Sequence, residues 1–324
     1  MAIEGRNVEL MKFLINSNWM DADLKRESIR VSLDFAVNME HLEVIKVLIE
    51  SSWVDANSKD DVGQQLLLSA VEHGRVKIIK LLIDSGVNVD LEDDFNDGTP
   101  LFWAARVGNI DIVRLLIDKG RANVDQRDRS NQTPLIWAAQ EGRVGVIRIL
   151  LKTNRVDINA KDIYDETALM WAANRGHTDV VKLLVGTGQV DINAKDIYDE
   201  TALIMAAKRG LTDVVKFLVG TGQVDINAKD IYDETALIWA AKRRHAWVVK
   251  LLVDTGQVDI NAINKYNRVA LILAIGAGYT DIVKLLVGRG QVDINAKDIY
   301  DGTALIWAAV KSAGCGAWVP RPHE

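Results

Sequence analysis

The 324-residue sequence predicts an all-α solenoid: stacked helix-turn-helix units joined by protruding hairpin loops. Three features carry that prediction. The segment VDINAKDIYDETALMWAANRGHTDVVKLLVGTGQ begins at Val156 and recurs from Val190, Val224, Val258 and, incompletely, Val292, a step of 34 residues. Alanine holds one phase of every period, at Ala36, Ala70, Ala104, Ala138, Ala172, Ala206, Ala240, Ala274 and Ala308. An apolar residue holds a second phase, from Met11, Ile45, Ile79 and Val113 through Ile147, Val181, Val215 and Val249 to Val283. A fixed period of roughly 20–50 residues marks a stacked-repeat architecture. It displaces the default of one or two globular domains of about 100–200 residues each.

Each element of the unit has a local cause. Thr167 to Asn174 is rich in helix formers, opens on a capping threonine and has Gly176 just past its end, which predicts a short first helix. Thr178 offers a second cap, Asp179 puts negative charge in the first turn, and Val180, Val181, Leu183 and Leu184 form an apolar stripe before Gly186 and Gly188. That predicts the antiparallel partner helix. The polar, turn-rich VDINAKDIYDE, with a short extended start, predicts the loop between pairs. Two residues before each capping position stand Gly63, Asp97, Asn131, Asp165, Asp199, Asp233, Asn267 and Asp301. These are the residue types that tolerate a left-handed backbone, so a tight turn with positive φ is expected there.

The units TPLFWAARVGNIDIVRLLIDKG (Thr99 to Gly120) and TPLIWAAQEGRVGVIRILL (Thr133 to Leu151) resemble ankyrin repeats, whose signature runs from a turn through T-P-L-H-x-A-A-x-x-G to a V-V-x-x-L-L helix. The resemblance covers nearly the whole chain. Proline survives only at Pro100 and Pro134, and Phe102, Ile136, Met170, Ile204, Ile238, Ile272 and Ile306 replace the family's histidine, so its side-chain hydrogen bonds are expected to be absent. The extra residue in G-T-G-Q-V-D-I-N makes the period 34 and is similar to arrays common in filamentous-fungal proteins. The expected organisation is an ankyrin-repeat domain over 1–309, with an incomplete first unit at 1–20 and an incomplete last unit from 292, followed by a divergent tail at 310–324. Both ends are expected to be weakly ordered or to self-associate, because each unit covers only its neighbours. Trp318 and Val319 are candidates to fold back over the exposed edge.

Composition narrows the function. Apolar content of 48% and charged content of 26% argue against a disordered chain. A lone cysteine, Cys315, excludes an intramolecular disulfide framework and suits a reducing compartment; together with the lack of a secretory leader or membrane-length apolar run, this points to a cytoplasmic protein. A net charge of −6 with both signs interspersed gives no general field for nucleic acid.

No catalytic, cofactor or metal site is expected. His41, His73, His177, His245 and His323 have no metal-ligand spacing. Cys315 has no positioned base, and Gly186 to Gly188 ends a helix rather than cradling a phosphate. Asp162, Asp165 and Glu166 recur in copy after copy instead of converging on one cleft, and Asn131-Gln132-Thr133, although a glycosylation sequon, reads as a turn.

What remains is a surface. If the resemblance holds, loop tips and first helices line a concave groove of the kind with which family members bind proteins. Tyr164, Tyr198 and Tyr232 fall at the tips, followed by Tyr266 and Tyr300. Trp103, Trp137, Trp171, Trp239 and Trp307 fall on first helices, with Met205 and Leu273 breaking the run. Arg106, Arg175, Lys208, Arg209, Lys242, Arg243 and Arg244 fall at their C-terminal ends. Aromatic residues and arginine are enriched in binding hot spots, although tryptophans at this position also serve to pack neighbouring repeats. The repeats from Val156 and Val190 differ at Met170/Ile204, Trp171/Met205, Asn174/Lys208, His177/Leu211 and Leu183/Phe217, mostly on the groove side. The sequence therefore predicts a non-enzymatic scaffold whose partner-binding residues are Tyr164, Tyr198, Tyr232, Trp171, Trp239, Arg175, Lys208, Arg209, Lys242 and Arg243. Alternatives are a sensor of a nucleotide-like or other anionic ligand, or a recognition segment of a larger multidomain protein.

Overall fold

The computed structural model describes residues 8–10, 12–14, 22–50, 63–92, 98–288 and 290–312. Expectations placed on Met11, Asp97, Cys315, Trp318 and Val319 lie outside them. The chain divides into two compact units, Met1–Ile163 and Tyr164–Glu324.

The first unit contains α1 (Ala22–Asn38), α2 (Leu42–Glu50), α3 (Gly63–Glu72), α4 (Val76–Asp84), α5 (Pro100–Val107), α6 (Ile110–Asp118), α7 (Pro134–Gln140) and α8 (Val144–Lys152). The second contains α9 (Ala168–Arg175), α10 (Thr178–Val185), α11 (Ala202–Arg209), α12 (Thr212–Gly220), α13 (Ala236–Lys242), α14 (Ala246–Asp254), α15 (Ala270–Ala277), α16 (Thr280–Val287) and α17 (Ala304–Ser312). Within each unit consecutive helices pair, first helices stack on first helices, and second helices on second helices. No strand occurs among the described residues, and the loops contribute only isolated bridge residues, as between Lys229 and Thr235.

The two ladders read from the sequence lie in the core, except that Val283 and Ala308 are only half-buried. Ala104, Ala138, Ala172, Ala206, Ala240 and Ala274 are fully buried where first helices stack, and a methyl group is what such close approach admits. Ile45, Ile79, Val113, Ile147, Val181, Val215 and Val249 are fully buried on the second helices.

Four first-helix caps form as expected, whereas Thr99 makes no side-chain cap bond. The Thr133, Thr167, Thr201 and Thr235 hydroxyls accept from the amides of Ile136, Met170, Ile204 and Ile238. Gly108, Gly176, Gly210 and Gly278 close their helices in the left-handed region. The second cap differs from expectation. Thr178 is the first residue of α10, and His177 takes the cap position without a side-chain cap bond. The expected positive φ occurs at Asn131, Asp165, Asp199, Asp233, Asn267 and Asp301, with values of 52–59°. Gly63, by contrast, opens α3. The 17-residue α1 is about twice the length of the later first helices because ADLKRESIRVSLDFAVN holds no glycine or proline to break it.

Candidate functional site

The second unit carries most of the residues singled out above, and its loops show how they are held. Near the tip of these loops an aspartate, or Asn264 in the loop of Tyr266, folds back on its own backbone. Asp196 Oδ1 accepts from the amides of Tyr198 (2.9 Å) and Glu200 (2.7 Å), and Asp230 Oδ1 from those of Tyr232 (2.8 Å) and Glu234 (2.9 Å). This bond pattern fixes the tip that the positive φ at Asp199 and Asp233 begins.

Successive tips are tied by their backbones. The Ile197 amide donates to the Tyr164 carbonyl at 3.0 Å, Ile231 to Tyr198 at 2.9 Å, Lys265 to Tyr232 at 3.0 Å and Ile299 to Tyr266 at 3.1 Å. A second tie comes from the asparagine of V-D-I-N. Asn193 accepts from the Asp225 amide (2.7 Å) and donates to the Gln223 carbonyl (3.0 Å), and Asn227 repeats the pattern on Asp259 and Gln257. The sequence reading missed these asparagine clamps; the signal was present, as an amide side chain held at one phase of the period. On this frame Tyr164, Tyr198 and Tyr232 are each about half exposed, in line along the tips.

The tryptophans behave differently from an open aromatic floor. Trp239 is only 7% exposed. Its Nε1–H donates to Asp230 Oδ2 at 2.8 Å, while Lys208 and Lys242 each place Nζ 4.4 Å from its ring centroid. Trp307 is buried likewise, and its Nε1–H bonds to Asp298. Trp171 is half-buried beneath Arg175, whose guanidinium carbon lies 5.9 Å from the ring centroid. The indoles thus pack and brace the loops, and Trp239 is a covered wall rather than an accessible contact.

The basic rim divides in the same way. Lys208 Nζ lies 2.6 Å from Glu200, and Lys242 Nζ lies 3.0 Å from Glu234, which is almost fully buried. Both lysines are thus paired within the protein while staying about a third exposed. Arg175, Arg209 and Arg243 remain exposed, Arg209 with its Nε–H on Asn174. Burial pushes the Asp196 carboxyl above its ordinary range, against the pull of the two amides on it. The Glu200 carboxyl is pushed up by burial as well, against the bond from Lys208.

Tyr198, Tyr232, Asp196, Met205, Trp239 and Arg209 are among the lining of a cleft of about 790 Å³ in this unit. It opens where Met205 interrupts the tryptophan run. Among the described residues no group of three or more His, Cys, Asp or Glu side chains is placed to hold a metal ion. No helix among them is long and apolar enough to cross a membrane.

The family model for ankyrin repeats, in three copies, matches residues 1–93, 67–162, 154–230 and 222–298. None of the curated proteins compared with the chain matches it. The period in the sequence and the helix pairing in the fold have one source: the chain belongs to the ankyrin-repeat family.

Proposed function

We propose that the chain is a non-enzymatic scaffold that binds a partner protein along the tips and first helices of its second unit. Ankyrin repeats are in general protein-protein interaction modules, and the observation that carries the reading here is the row of half-exposed Tyr164, Tyr198 and Tyr232. Their backbones are tied to one another, so an incoming segment meets a surface already ordered and loses less entropy in ordering it. Exposed Arg175, Arg209 and Arg243 offer fork-shaped donors to partner carboxylates. An anion sensor built on Lys208 and Lys242 is less well supported, since Glu200 and Glu234 already neutralise them. The proposed setting is cytoplasmic. Self-association through Leu305 and Ile306, both exposed on α17, is a subsidiary proposal, checked by the concentration dependence of light scattering.

Affinity capture from the source cell, with a Tyr164→Ala, Tyr198→Ala, Tyr232→Ala variant as control, tests the main reading. The variant is expected to stay folded and to lose at least about ten-fold in affinity for the captured protein. Full affinity in a folded variant would exclude the tyrosine row as the binding surface.

A further inference from the structure

One repeat departs from a pattern that three others share. In the repeats of Trp137, Trp239 and Trp307 the indole N–H donates to Oδ2 of the loop aspartate, Asp128, Asp230 or Asp298, at 3.0, 2.8 and 3.1 Å. Where Leu273 replaces the indole, the aspartate is replaced too. Asn264 stands there, its Oδ1 accepting from the Tyr266 and Arg268 amides and its Nδ2 donating to Glu234 at 3.1 Å.

Met205 replaces the indole while Asp196 remains a carboxylate. A thioether has no proton to donate. The residue before the first-helix cap of the preceding repeat supplies a side-chain donor in two places, Gln132 to Asp162 at 3.3 Å and Arg268 to Asp298 at 3.2 Å, but here that residue is the carboxylate Glu166. Among the described residues the Asp196 carboxylate is bonded through Oδ1 alone, and nothing donates to Oδ2. Asp196 is 8% exposed and with Met205 lines the cleft, whose volume of about 790 Å³ lies within the roughly 300–1,000 Å³ of small-ligand sites.

We propose that this cleft receives an indole from a partner, a tryptophan side chain whose N–H donates to Asp196 Oδ2 while its ring lies against Met205 between the Tyr198 and Tyr232 loops. The inference rests on the protein-binding reading above and names what one subsite of it takes. Indole is the occupant that the chain itself uses against this carboxylate in the neighbouring repeat. A methionine sulfur is a favourable surface for an aromatic ring. The lining carboxylates and cations nearly cancel, with Lys208 already held on Glu200, so a neutral donor fits better than a second cation or an anion.

The test uses the full chain labelled with [13C-methyl]methionine, which gives six methyl signals, Met205 being assigned by its loss in Met205→Leu. N-acetyltryptophanamide is the probe. It is expected to shift the Met205 signal saturably, whereas its N1-methyl analogue and N-acetylphenylalaninamide bind about ten-fold more weakly or worse, because neither donates to Asp196. Asp196→Asn keeps the turn, as Asn264 shows in this same fold, and should weaken the probe by a similar factor. No response to the probe, an equal response to the N1-methyl analogue, an undiminished response in Asp196→Asn, or tighter binding of N-acetylargininamide would each overturn the proposal.

Met205→Trp separates this inference from the reading it rests on. With a captured partner in hand, loss of binding in both Met205→Trp and the triple tyrosine variant supports the subsite. Unchanged binding in Met205→Trp with loss in the tyrosine variant overturns the subsite and leaves the groove standing. Retained binding in the tyrosine variant, with the indole probe still titrating Met205, overturns the groove and leaves the cleft.

Discussion

At the scale of single residues, the same amino acid is worth different amounts at equivalent positions. Gly210 and Gly222 both sit at positive φ, 73° and 69°, yet a Cβ on Gly210 would run into the His245 ring, and one on Gly222 would meet nothing. Gly222→Ala is therefore expected to cost about 1–2 kcal/mol from backbone strain alone. Gly210→Ala should cost clearly more, as read from urea midpoints. Asp196 gives a second prediction. Its carboxyl is raised in the folded chain, so between the ordinary carboxylate pKa and the raised value the folded state binds more protons than the unfolded state. Its contribution to stability accordingly falls as pH rises through that window and stays low above it. Asp196→Asn removes the titration but not the Oδ1 turn bonds, so the stability of the variant relative to wild type should climb from acid towards neutral pH. A difference that is flat with pH would contradict the burial described for Asp196.

At the scale of elements, caps explain most of where helices begin, and these were legible in the sequence because a threonine hydroxyl two residues past an Asn or Asp is a purely local signal. The Thr235 hydroxyl accepts from the Ile238 amide at 3.3 Å, whereas Val269 takes the cap position of α15 with no side-chain acceptor. Thr235→Ala should lower stability by about 1 kcal/mol. Val269→Thr, a near-isosteric change at a buried site, should raise it by up to the same amount, and thermal melts of the two variants check both. The second helices were read less well, since Thr178 resembles a cap in sequence while the chain turns one residue earlier, at His177. The fate of the tryptophans was not legible either. Whether an indole faces solvent or a neighbour depends on a carboxylate nine residues earlier and on a lysine one repeat away, which no single unit displays.

At the scale of the whole molecule, the contacts are between neighbours, and stability should propagate accordingly. Leu218 is fully buried on α12, so Leu218→Ala should cost about 2–5 kcal/mol. Hydrogen exchange in that variant should rise most in α12 and in α10 and α14, which pack directly against it, and less in α16. Uniform deprotection of the second unit would instead mark a single cooperative block. The fold was readable from the sequence because repetition supplies the same evidence many times over. The cleft was not, because it arises from one departure among near-copies, and its meaning depends on knowing what the indole does in the repeats that keep it. That departure bears on register. The tips at Tyr164, Tyr198 and Tyr232 belong to nearly identical loops, and a segment reading only those tips finds equivalent seats one step apart, so it can slide along them with little change in energy. Met205 beside Asp196 removes the equivalence. It gives an otherwise uniform track one marked rung from which the position of a bound chain can be counted.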